Sequence, residues 1–293
     1  MKKNSFNRPS PLGRILIVLV FILLYAPIVL LIVFSFNSTK SRTVWTGFTL
    51  DWYAQLFRDS TILNSLYTTL AVSVLAAVIA TVAGTFAAIG FFTMRKRWRT
   101  PLMTINSIPL MNADIVTGVS LCLLFVASCT ALGNITGWIN GVLGTRLPTS
   151  FNLGFLTLLI AHITFNIPYV ILSITPKLQQ LDKNLVDAAQ DLGCTWFQAL
   201  IKVVIPEIMP GIVNGLIIAF TMSIDDFVIS YFTAGRVSTL SMTIYAMTRK
   251  RISPKINAVS TILFVSVLIL LIIINVREMR QEERAKKRLR AQQ

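Results

Sequence analysis

Six long apolar runs constrain what this chain of 293 residues can fold into. A transmembrane helix needs about 20 predominantly apolar residues to cross the hydrocarbon core of a bilayer. Each run meets that length, and hydrophobic residues make up 54% of the chain against 13% for charged ones. The sequence therefore predicts an all-α integral membrane protein with six transmembrane helices. The predicted spans lie near residues 15–36, 66–92, 107–130, 153–174, 208–231 and 256–276.

The first run follows a short basic segment and superficially resembles a secretory signal peptide. Residues 15–36 are too many for the apolar region of a signal peptide, and no small-x-small cleavage site follows them. We therefore expect an uncleaved first span.

The lysines and arginines of the connecting segments indicate which side of the membrane each segment faces. Cytoplasmic loops of membrane proteins carry an excess of these residues. With both termini in the cytoplasm, the cytoplasmic segments contain 18 of the 27 lysines and arginines. The loop between the last two spans opposes this orientation with five basic residues, but late loops weigh less. We predict an N-in and C-in topology.

The predicted spans divide the chain into a cytoplasmic N-terminal tail, 1–14, a six-helix membrane domain, 15–276, and a basic cytoplasmic tail, 277–293. The formal net charge of +15 raises the question of nucleic-acid binding, which requires a basic patch on a soluble segment. The basic residues instead gather between and beyond the apolar runs, where they orient a membrane protein and face lipid headgroups. We therefore expect lipid contact and no nucleic-acid partner.

The residues that usually bind metals or form disulfides are few and scattered. Cys122, Cys129 and Cys194 have no paired spacing, so neither a disulfide framework nor a metal site is predicted. His162, the only histidine, lies in an apolar run and is interpreted as a hydrogen-bonded packing residue. No cofactor is expected.

Polar residues interrupt two of the apolar runs. Asn112 and Asp114 break the third run, and Asp225 and Asp226 lie inside the fifth. A charged side chain at membrane depth costs roughly 2.5–3.5 kcal/mol by insertion scales, so such residues usually mark a substrate path or a buried pair. We expect these two helices to line a cavity, on which Asp114 is a candidate to converge with the aspartate pair.

The two neighbouring aspartates are not expected to share one task. In a regular helix consecutive side chains point about 100° apart, so the pair cannot share a proton as a catalytic dyad does. One is expected to face the translocation path and the other to pair with a neighbouring helix. Ser223, three residues before Asp226, would share the face of that residue. The alternative stays open that these acids only hold helices together or pair with a basic residue such as Arg236.

The connection between the fourth and fifth spans, residues 181–206, has the pattern of a helix–turn–helix on the cytoplasmic face. Asp182 is a candidate N-cap for a first helix, which Gly193 would end. The small residues Ala188 and Ala189 would let this helix dock closely into a groove of another protein.

A second short helix follows in the same connection. Thr195 is its candidate first residue, and Gln198 three positions later completes a capping box. Pro206 is expected to close this helix and to lead into the fifth span.

The same connection resembles the EAA motif of ABC-importer permeases, E-A-A-x3-G-x9-I-x-L-P. The matching residues are Asp187-Ala188-Ala189, Gly193 after three residues, and Val203-Val204-Ile205-Pro206 after nine more. Asp187 stands where glutamate is usual, and Val203 and Ile205 stand where isoleucine and leucine are usual, which keeps charge and apolarity. The resemblance implies the type I (MetI-like) permease fold, with this segment as a coupling helix seated in a cleft of a cytoplasmic ATPase.

Five further segments resemble the permeases of spermidine/putrescine importers, and the similarity extends from about Leu23 to Ile274. They are FTLDWYAQLF (48–57), NADIVTGVSLCLLFV (112–126), HITFNIPYV (162–170), AFTMSIDDFVISYFTAG (219–235) and IYAMTRKRISPKINAVSTIL (244–263). The resemblance implies a polyamine permease in the bacterial cytoplasmic membrane. Its expected partners are a second homologous permease, two copies of an ABC ATPase and an extracytoplasmic polyamine-binding protein. The external segment 130–150 departs from the family by being longer than the usual connection.

Polyamines are flexible chains of ammonium groups, and this chemistry suits the candidate residues. The aspartate pair and Asp114 would supply carboxylates for the ammonium groups at intervals. The aromatic faces of Trp52, Tyr53 and Tyr231 would add cation–π attraction. Trp52 and Tyr53 also fit the aromatic belt at a membrane interface.

Other functions are weighed against this one. The same kind of importer with another substrate, such as thiamine or iron, fits the motif, whereas the paired acids disfavour an anion. An ion-coupled secondary transporter would leave residues 181–206 unexplained. An intramembrane aspartyl protease is excluded, because it needs acids on separate helices and a G-x-G-D sequence that is absent. The chain also lacks a G-x4-G-K-[ST] phosphate loop, so we expect no enzyme activity of its own and assign ATP hydrolysis to a partner.

Overall fold

The computed structural model describes residues 11–39, 44–146, 148–182, 184–250, 255–269, 271, 272 and 276. Helices dominate this part of the chain, and one isolated antiparallel bridge joins Asn37 to Phe48. The predicted tails lie outside the described residues, except for positions 11–14. The helices are α1 (Pro11–Phe34), α2 (Asp51–Leu56), α3 (Ser60–Thr93), α4 (Lys96–Met111), α5 (Asp114–Leu143), α6 (Phe155–Gln180), α7 (Asn184–Asp191), α8 (Trp196–Ala199), α9 (Ile205–Asp225), α10 (Val228–Thr233), α11 (Leu240–Lys250) and α12 (Lys255–Ile269).

Five helical segments of the described chain are long and apolar enough to cross a bilayer. They correspond to the first five predicted spans and confirm a multi-pass, all-α architecture. Helix α12 covers the first part of the predicted sixth span, but residues 270 and 273–275 lie outside the described residues, so the sixth crossing stays a prediction. The five segments are Leu12–Phe34, Ser60–Thr93, Asp114–Leu143, Phe155–Gln180 and Trp196–Asp225.

The predicted bounds of the third span, 107–130, are wrong. Its first residues belong to α4, which ends at Met111, and the crossing helix α5 begins at Asp114. Asn112 and Ala113 separate the two helices with extended ψ angles of 148° and 136°. Asn and Asp favour helix ends because their short polar side chains compete with the backbone for hydrogen bonds.

Residues 130–150, interpreted from the sequence as an external connection, are helical for more than half their length. Helix α5 continues to Leu143 and ends at Gly144, whose φ of 63° is left-handed. The N–H of Gly144 donates to the carbonyl of Asn140, 3.0 Å away, as at many helix C-termini. Helix α5 therefore includes residues 130–143 of this segment, and the connection begins at Gly144.

The fifth span also differs from the prediction at its start. The helix expected to close at Pro206 does not close there, because α8 continues through a π-helical turn, Leu200–Val204, directly into α9. A proline cannot donate a hydrogen bond to the carbonyl four residues earlier, here that of Lys202. The wider π turn lies where this bond is missing, so the chain stays helical across the proline.

Residues Asn64–Thr243 form a compact unit whose core joins α3, α6 and α9. Val170 of α6 is fully buried between Gly84 of α3 and Gly215 of α9. A Cβ atom would lie 2.7 Å from Val170 Cγ1 if built on Gly84 and 3.2 Å from it if built on Gly215. These two positions let three helix backbones approach closely. On α3, Gly84 and Ala88 thus pack inside this unit, whereas Gly90 faces open space.

The other compact unit consists of Met1–Leu63 and Ile244–Gln293. In its described part, Phe36 stacks on Phe48 and on Tyr53, with ring centroids 5.3 Å and 5.2 Å apart. Lys255 forms an ion pair with Asp59 at 3.7 Å. The apolar side chains of α1 are largely exposed, as suits a helix surrounded by lipid.

Candidate functional site

A break between α9 and α10 gives the two neighbouring aspartates different surroundings. Asp225 is the last residue of α9, and Asp226 follows it with an extended ψ of 127° before α10 begins at Val228. The prediction of one continuous span over 208–231, with both acids on a regular helix, is therefore wrong. Side-chain carboxylates that bond nearby N–H groups compete with the helix in this way.

The carboxylate of Asp226 caps α10. Its Oδ2 accepts a hydrogen bond from the N–H of Ser230 at 2.7 Å, and its Oδ1 accepts one from the N–H of Ile229 at 3.3 Å. The first N–H groups of a helix have no partner within the helix, and the helix dipole favours a negative charge beside them. Because the Asp226 side chain is only 8% exposed, its charge is satisfied inside the protein.

His162 of α6 completes the surroundings of Asp226. Its Nε2 lies 3.0 Å from the Oγ of Ser230 and 3.6 Å from the Oδ2 of Asp226, and its side chain is 1% exposed. These contacts confirm that His162 is a hydrogen-bonded packing residue. They also confirm that one of the two acids pairs with a neighbouring helix.

Asp225 has the opposite environment. Its side chain is exposed, and in the described part of the chain no other residue donates a hydrogen bond or forms an ion pair with it. Arg236, the alternative partner considered from the sequence, pairs with neither acid among the described residues. The charge of Asp226 is close enough to interact with Asp225 electrostatically. Asp225 is therefore the exposed one of the two acids.

Aromatic side chains follow the aspartates. The rings of Phe227 and Tyr231 lie 5.6 Å apart, and Tyr231 meets Phe232 edge-on at 5.5 Å. Tyr231 is 56% exposed. A cation held at this end of α9 would find an open aromatic face one helical turn away along α10.

Ser223 lies inside the protein, although the sequence suggested a place on the substrate path. It is 3% exposed, and its Oγ accepts a hydrogen bond from Nδ2 of Asn166 at 2.7 Å. Because α9 ends at Asp225, Ser223 and Asp226 do not share a face of one regular helix, although both contact α6. Sequence reasoning missed Asn166 and Ser230, and the only signal for them was polar residues within apolar runs.

Asp114 begins α5 and is exposed. One turn later, a Cβ atom built on Gly118 would lie 3.0 Å from the ring of Phe232 and 3.4 Å from the carbonyl oxygen of Val228. Helix α5 thus meets α10 next to the break at Asp226. The contact is made at Gly118, and the convergence of Asp114 with the aspartate pair stays a prediction.

Trp52 and Tyr53 belong to the other compact unit, where local contacts occupy their polar atoms. The Nε1 of Trp52 donates to the carbonyl of Asn37 at 2.7 Å, and the hydroxyl of Tyr53 lies 2.7 Å from the Oγ of Ser35. Both aromatic side chains are half-buried. These bonds fix the segment that follows α1, and a role in binding cations stays a prediction.

The connection 181–206 has the predicted caps. The N–H of Asn184 donates to Oδ1 of Asp182 at 3.0 Å, and Gly193 has a left-handed φ of 86° after α7. The capping box of the second helix is formed reciprocally by Thr195 and Gln198, with bonds of 3.0 Å and 3.3 Å. The helix–turn–helix interpretation is confirmed here, apart from the helix end at Pro206; Lys183 lies outside the described residues.

The surface of this connection is unusually apolar for a loop. Ala189 is buried, whereas Ala188 and Asp187 are exposed. Sequence reasoning missed five large exposed apolar side chains of the connection, although bulky apolar residues in a polar loop are a usable signal. They are Leu185, Leu192, Trp196, Phe197 and Ile201.

Within the described residues, no group of three or more His, Cys, Asp or Glu side chains is arranged to hold a metal ion. The three cysteines are free and partly buried.

Curated relatives resemble most of this chain. The putrescine transport system permease protein PotI of Escherichia coli K12 is 36% identical over 256 residues, which cover 87% of this chain and 86% of PotI. The spermidine/putrescine transport system permease protein PotC of the same organism is 34% identical over 254 residues, covering 86% and 88% of the two chains.

A solved structure has the same fold. A bacterial ABC transporter that imports the acidic polysaccharide alginate aligns with 91% of this chain and 93% of its own, with a TM-score of 0.63 and 19% sequence identity. Residues 80–279 also match the family described as the inner membrane component of binding-protein-dependent transport systems. The long apolar helices agree with that location. The chain therefore belongs to this family of inner-membrane permeases and has the MetI-like fold of ABC importers.

Proposed function

We propose that the chain is the membrane-spanning permease subunit of an ATP-driven importer that carries polyamines, spermidine or putrescine, across the cytoplasmic membrane. The observation that carries this proposal is the accessible Asp225 carboxylate at a break in a membrane helix. Relatives that are named as putrescine and spermidine/putrescine permeases support it.

The site favours a flexible cation with several charges. Asp225 offers a carboxylate to one ammonium group, and a charge-assisted hydrogen bond of this kind is about twice as strong as a neutral one. Asp114, at the start of the helix that meets α10, would serve a second ammonium group. The exposed ring of Tyr231 would add a cation–π surface on α10, and Trp52 and Tyr53 are further aromatic candidates.

The connection 181–206 would couple the permease to ATP hydrolysis by a partner. Ala188 and the apolar side chains of Leu192 and Trp196 form an exposed surface suited to a cleft in a cytoplasmic ATPase. Two ATPase copies would act on this chain and on a second homologous permease. Closing of the ATPase pair would draw the two connections together and change the side on which the pathway opens.

The proposed topology places both termini and the connection 181–206 in the cytoplasm, with six crossings in all. Asp225 lies about 30 Å along α9 from its start at Ile205, at 1.5 Å per residue. This distance is close to the thickness of the hydrocarbon core. The accessible carboxylate would then lie near the outer face, where an extracytoplasmic polyamine-binding protein releases its substrate.

Two other functions are less favoured. An importer of another cation, such as thiamine or iron, would use the same fold. An ion-coupled secondary transporter would not need a binding protein, whereas the family of this chain is defined by dependence on one. The exposed acid of the α9 end also disfavours an anionic substrate.

Uptake of labelled spermidine and putrescine tests the proposal. Polyamine-starved cells would express the complete transporter with this subunit either wild type or deleted. We expect uptake only with the subunit present. If the complex assembles and its ATPase is active but neither polyamine enters, the polyamine assignment is wrong and another cation must be sought.

A further inference from the structure

His162, Asp226 and Ser230 form a buried cluster where α6 meets the break between α9 and α10, and we call it the break cluster. Asp226 contacts α10 through two backbone N–H groups and α6 through His162. Two residues before Asp225, Ser223 is bonded to Asn166, which is four residues after His162. Residues four apart share one helix face. One face of α6 therefore contacts the chain both before and after Asp225.

The protonation of the His162 ring follows from its neighbours. Its Nδ1 is buried and has no hydrogen-bond partner in the described structure, whereas Nε2 faces two oxygen atoms. An N–H on Nδ1 would be buried without a partner, which is unfavourable. A neutral ring therefore carries its hydrogen on Nε2 and donates it to the Oγ of Ser230, while the Oδ2 of Asp226 lies 3.6 Å from the same nitrogen.

This arrangement separates the tasks of the two aspartates. The carboxylate of Asp226 already has two N–H donors and the imidazole, and it is nearly inaccessible. Asp225 has no such donors from other residues and is exposed. The direction of the Asp225 side chain depends on where the helix ends, and the contacts of Asp226 determine that position.

We propose that His162 and Asp226 are positioning residues that hold the helix break, so that Asp225 alone of the two acids meets an ammonium group of the substrate. This inference rests on the proposed function, because it names the acid that serves the cation and the residues that present it. His162 acts through Asp226 and does not touch the substrate.

The test uses the complete transporter in proteoliposomes, with uptake of labelled spermidine measured per assembled complex at saturating loaded binding protein. Asp225→Asn is expected to lower uptake about tenfold, since one charge-assisted contact is lost. His162→Leu removes the donor at similar volume and is expected to lower uptake about fivefold. His162→Gln retains a donor and should stay within about twofold of wild type.

Combining the variants distinguishes positioning from general stability. If the effect of His162 on uptake is to position Asp225, adding His162→Leu to Asp225→Asn lowers uptake less than about twofold further. Independent defects would instead multiply to about fiftyfold. Ser173→Ala is the matched control, because it removes another bond between α6 and α9, from the Ser173 hydroxyl to the carbonyl of Gly211, away from the break. It should leave uptake within about twofold.

The outcomes separate the inference from the proposed function. Wild-type uptake by Asp225→Asn would overturn the assignment of Asp225 as the substrate contact in the proposed function. Loss with Asp225→Asn, combined with multiplicative loss in the double variant, would overturn only the positioning role of His162. A fall in assembly or melting temperature that accounts for the whole effect of His162→Leu would do the same. Ser230→Ala, which keeps the backbone N–H cap, provides a milder second variant with an expected loss of two- to threefold.

Discussion

The helix break at the aspartates and the connection 181–206 are both polar interruptions of a membrane protein, but they are built differently. The connection is organised by bonds between close neighbours, such as the reciprocal pair three residues apart at Thr195 and Gln198. The break is organised by bonds across long separations, with His162 and Ser230 being 68 positions apart. The connection can therefore be predicted from a short stretch of sequence, whereas the helix break cannot.

The difference also concerns exposure. The connection presents apolar side chains such as Trp196 and Leu192 outward, which suits a surface that another protein covers. The break buries its polar groups and leaves one carboxylate accessible. The surface proposed for a protein partner thus exposes apolar side chains, whereas the site proposed for a small cation exposes a carboxylate.

Ala188→Trp probes the connection and should have the largest effect. A bulky indole on the exposed face of α7 would block docking into the partner, so uptake should fall more than about twentyfold while ATP hydrolysis no longer drives transport. Uptake and ATPase activity of the reconstituted complex measure this. Gln190→Trp adds the same bulk at another exposed position of α7 and should cost much less. Normal uptake by Ala188→Trp would contradict the docking role.

Asp114→Asn probes whether a second carboxylate serves the substrate at the break. We expect spermidine uptake to fall about three- to tenfold and putrescine uptake to fall less, because the longer triamine reaches a second acid more readily. Uptake of both substrates by the same proteoliposomes gives the ratio. Asp51→Asn, at an exposed acid in the first turn of α2, is the control. Equal losses for the two amines would argue against a second ammonium site.

Gly84→Ala tests the close packing of α3 against α6. The added methyl group would lie 2.7 Å from Val170 Cγ1, so we expect a loss of about 1–3 kcal/mol in the free energy of unfolding. The melting temperature of the purified complex should fall. Gly90→Ala on the same helix meets nothing within 4 Å and should be neutral or stabilising by up to about 1 kcal/mol. Equal melting temperatures for the two variants would refute the close approach at Gly84.

Thr195→Ala tests the local nature of the connection and should have the smallest effect. Loss of the cap is expected to cost about 1 kcal/mol and to affect only the second helix of the connection. Faster hydrogen exchange at the N–H of Gln198, with the membrane helices unchanged, is the expected signature. Thr195→Ser keeps the cap and should exchange as wild type does. Uniformly faster exchange would mean that the cap supports the whole unit.

The fold alone does not decide the substrate. The solved transporter with the same fold imports an acidic polysaccharide, whereas the curated relatives are named for polyamines, which are cations. The same fold therefore occurs with substrates of opposite charge, so the charge of the site residues must determine which substrate is bound. Asp225 and Asp114 are the residues of this chain on which that choice is proposed to rest.

The positions of the first five spans could be predicted from the sequence, because a run of about 20 apolar residues has the length of a helix that crosses the hydrocarbon core of a bilayer. Their ends could not. Asn112 and Asp114 were visible as an interruption of the third run, but the interruption alone did not predict that one helix ends and another begins there. The π turn before Pro206 has no local signature. Helix ends depend on which backbone groups find partners, and many of those partners are distant in sequence.

By itself, the sequence determined the class of protein, the family motif, the caps of Asp182 and Thr195, and the presence of acids within long apolar runs. Each of these depends on composition or on neighbours within a few residues. Only the tertiary structure decided which aspartate is buried and which is accessible. That choice depends on His162 reaching Asp226 from another helix, and a contact across 64 positions leaves no trace in local sequence.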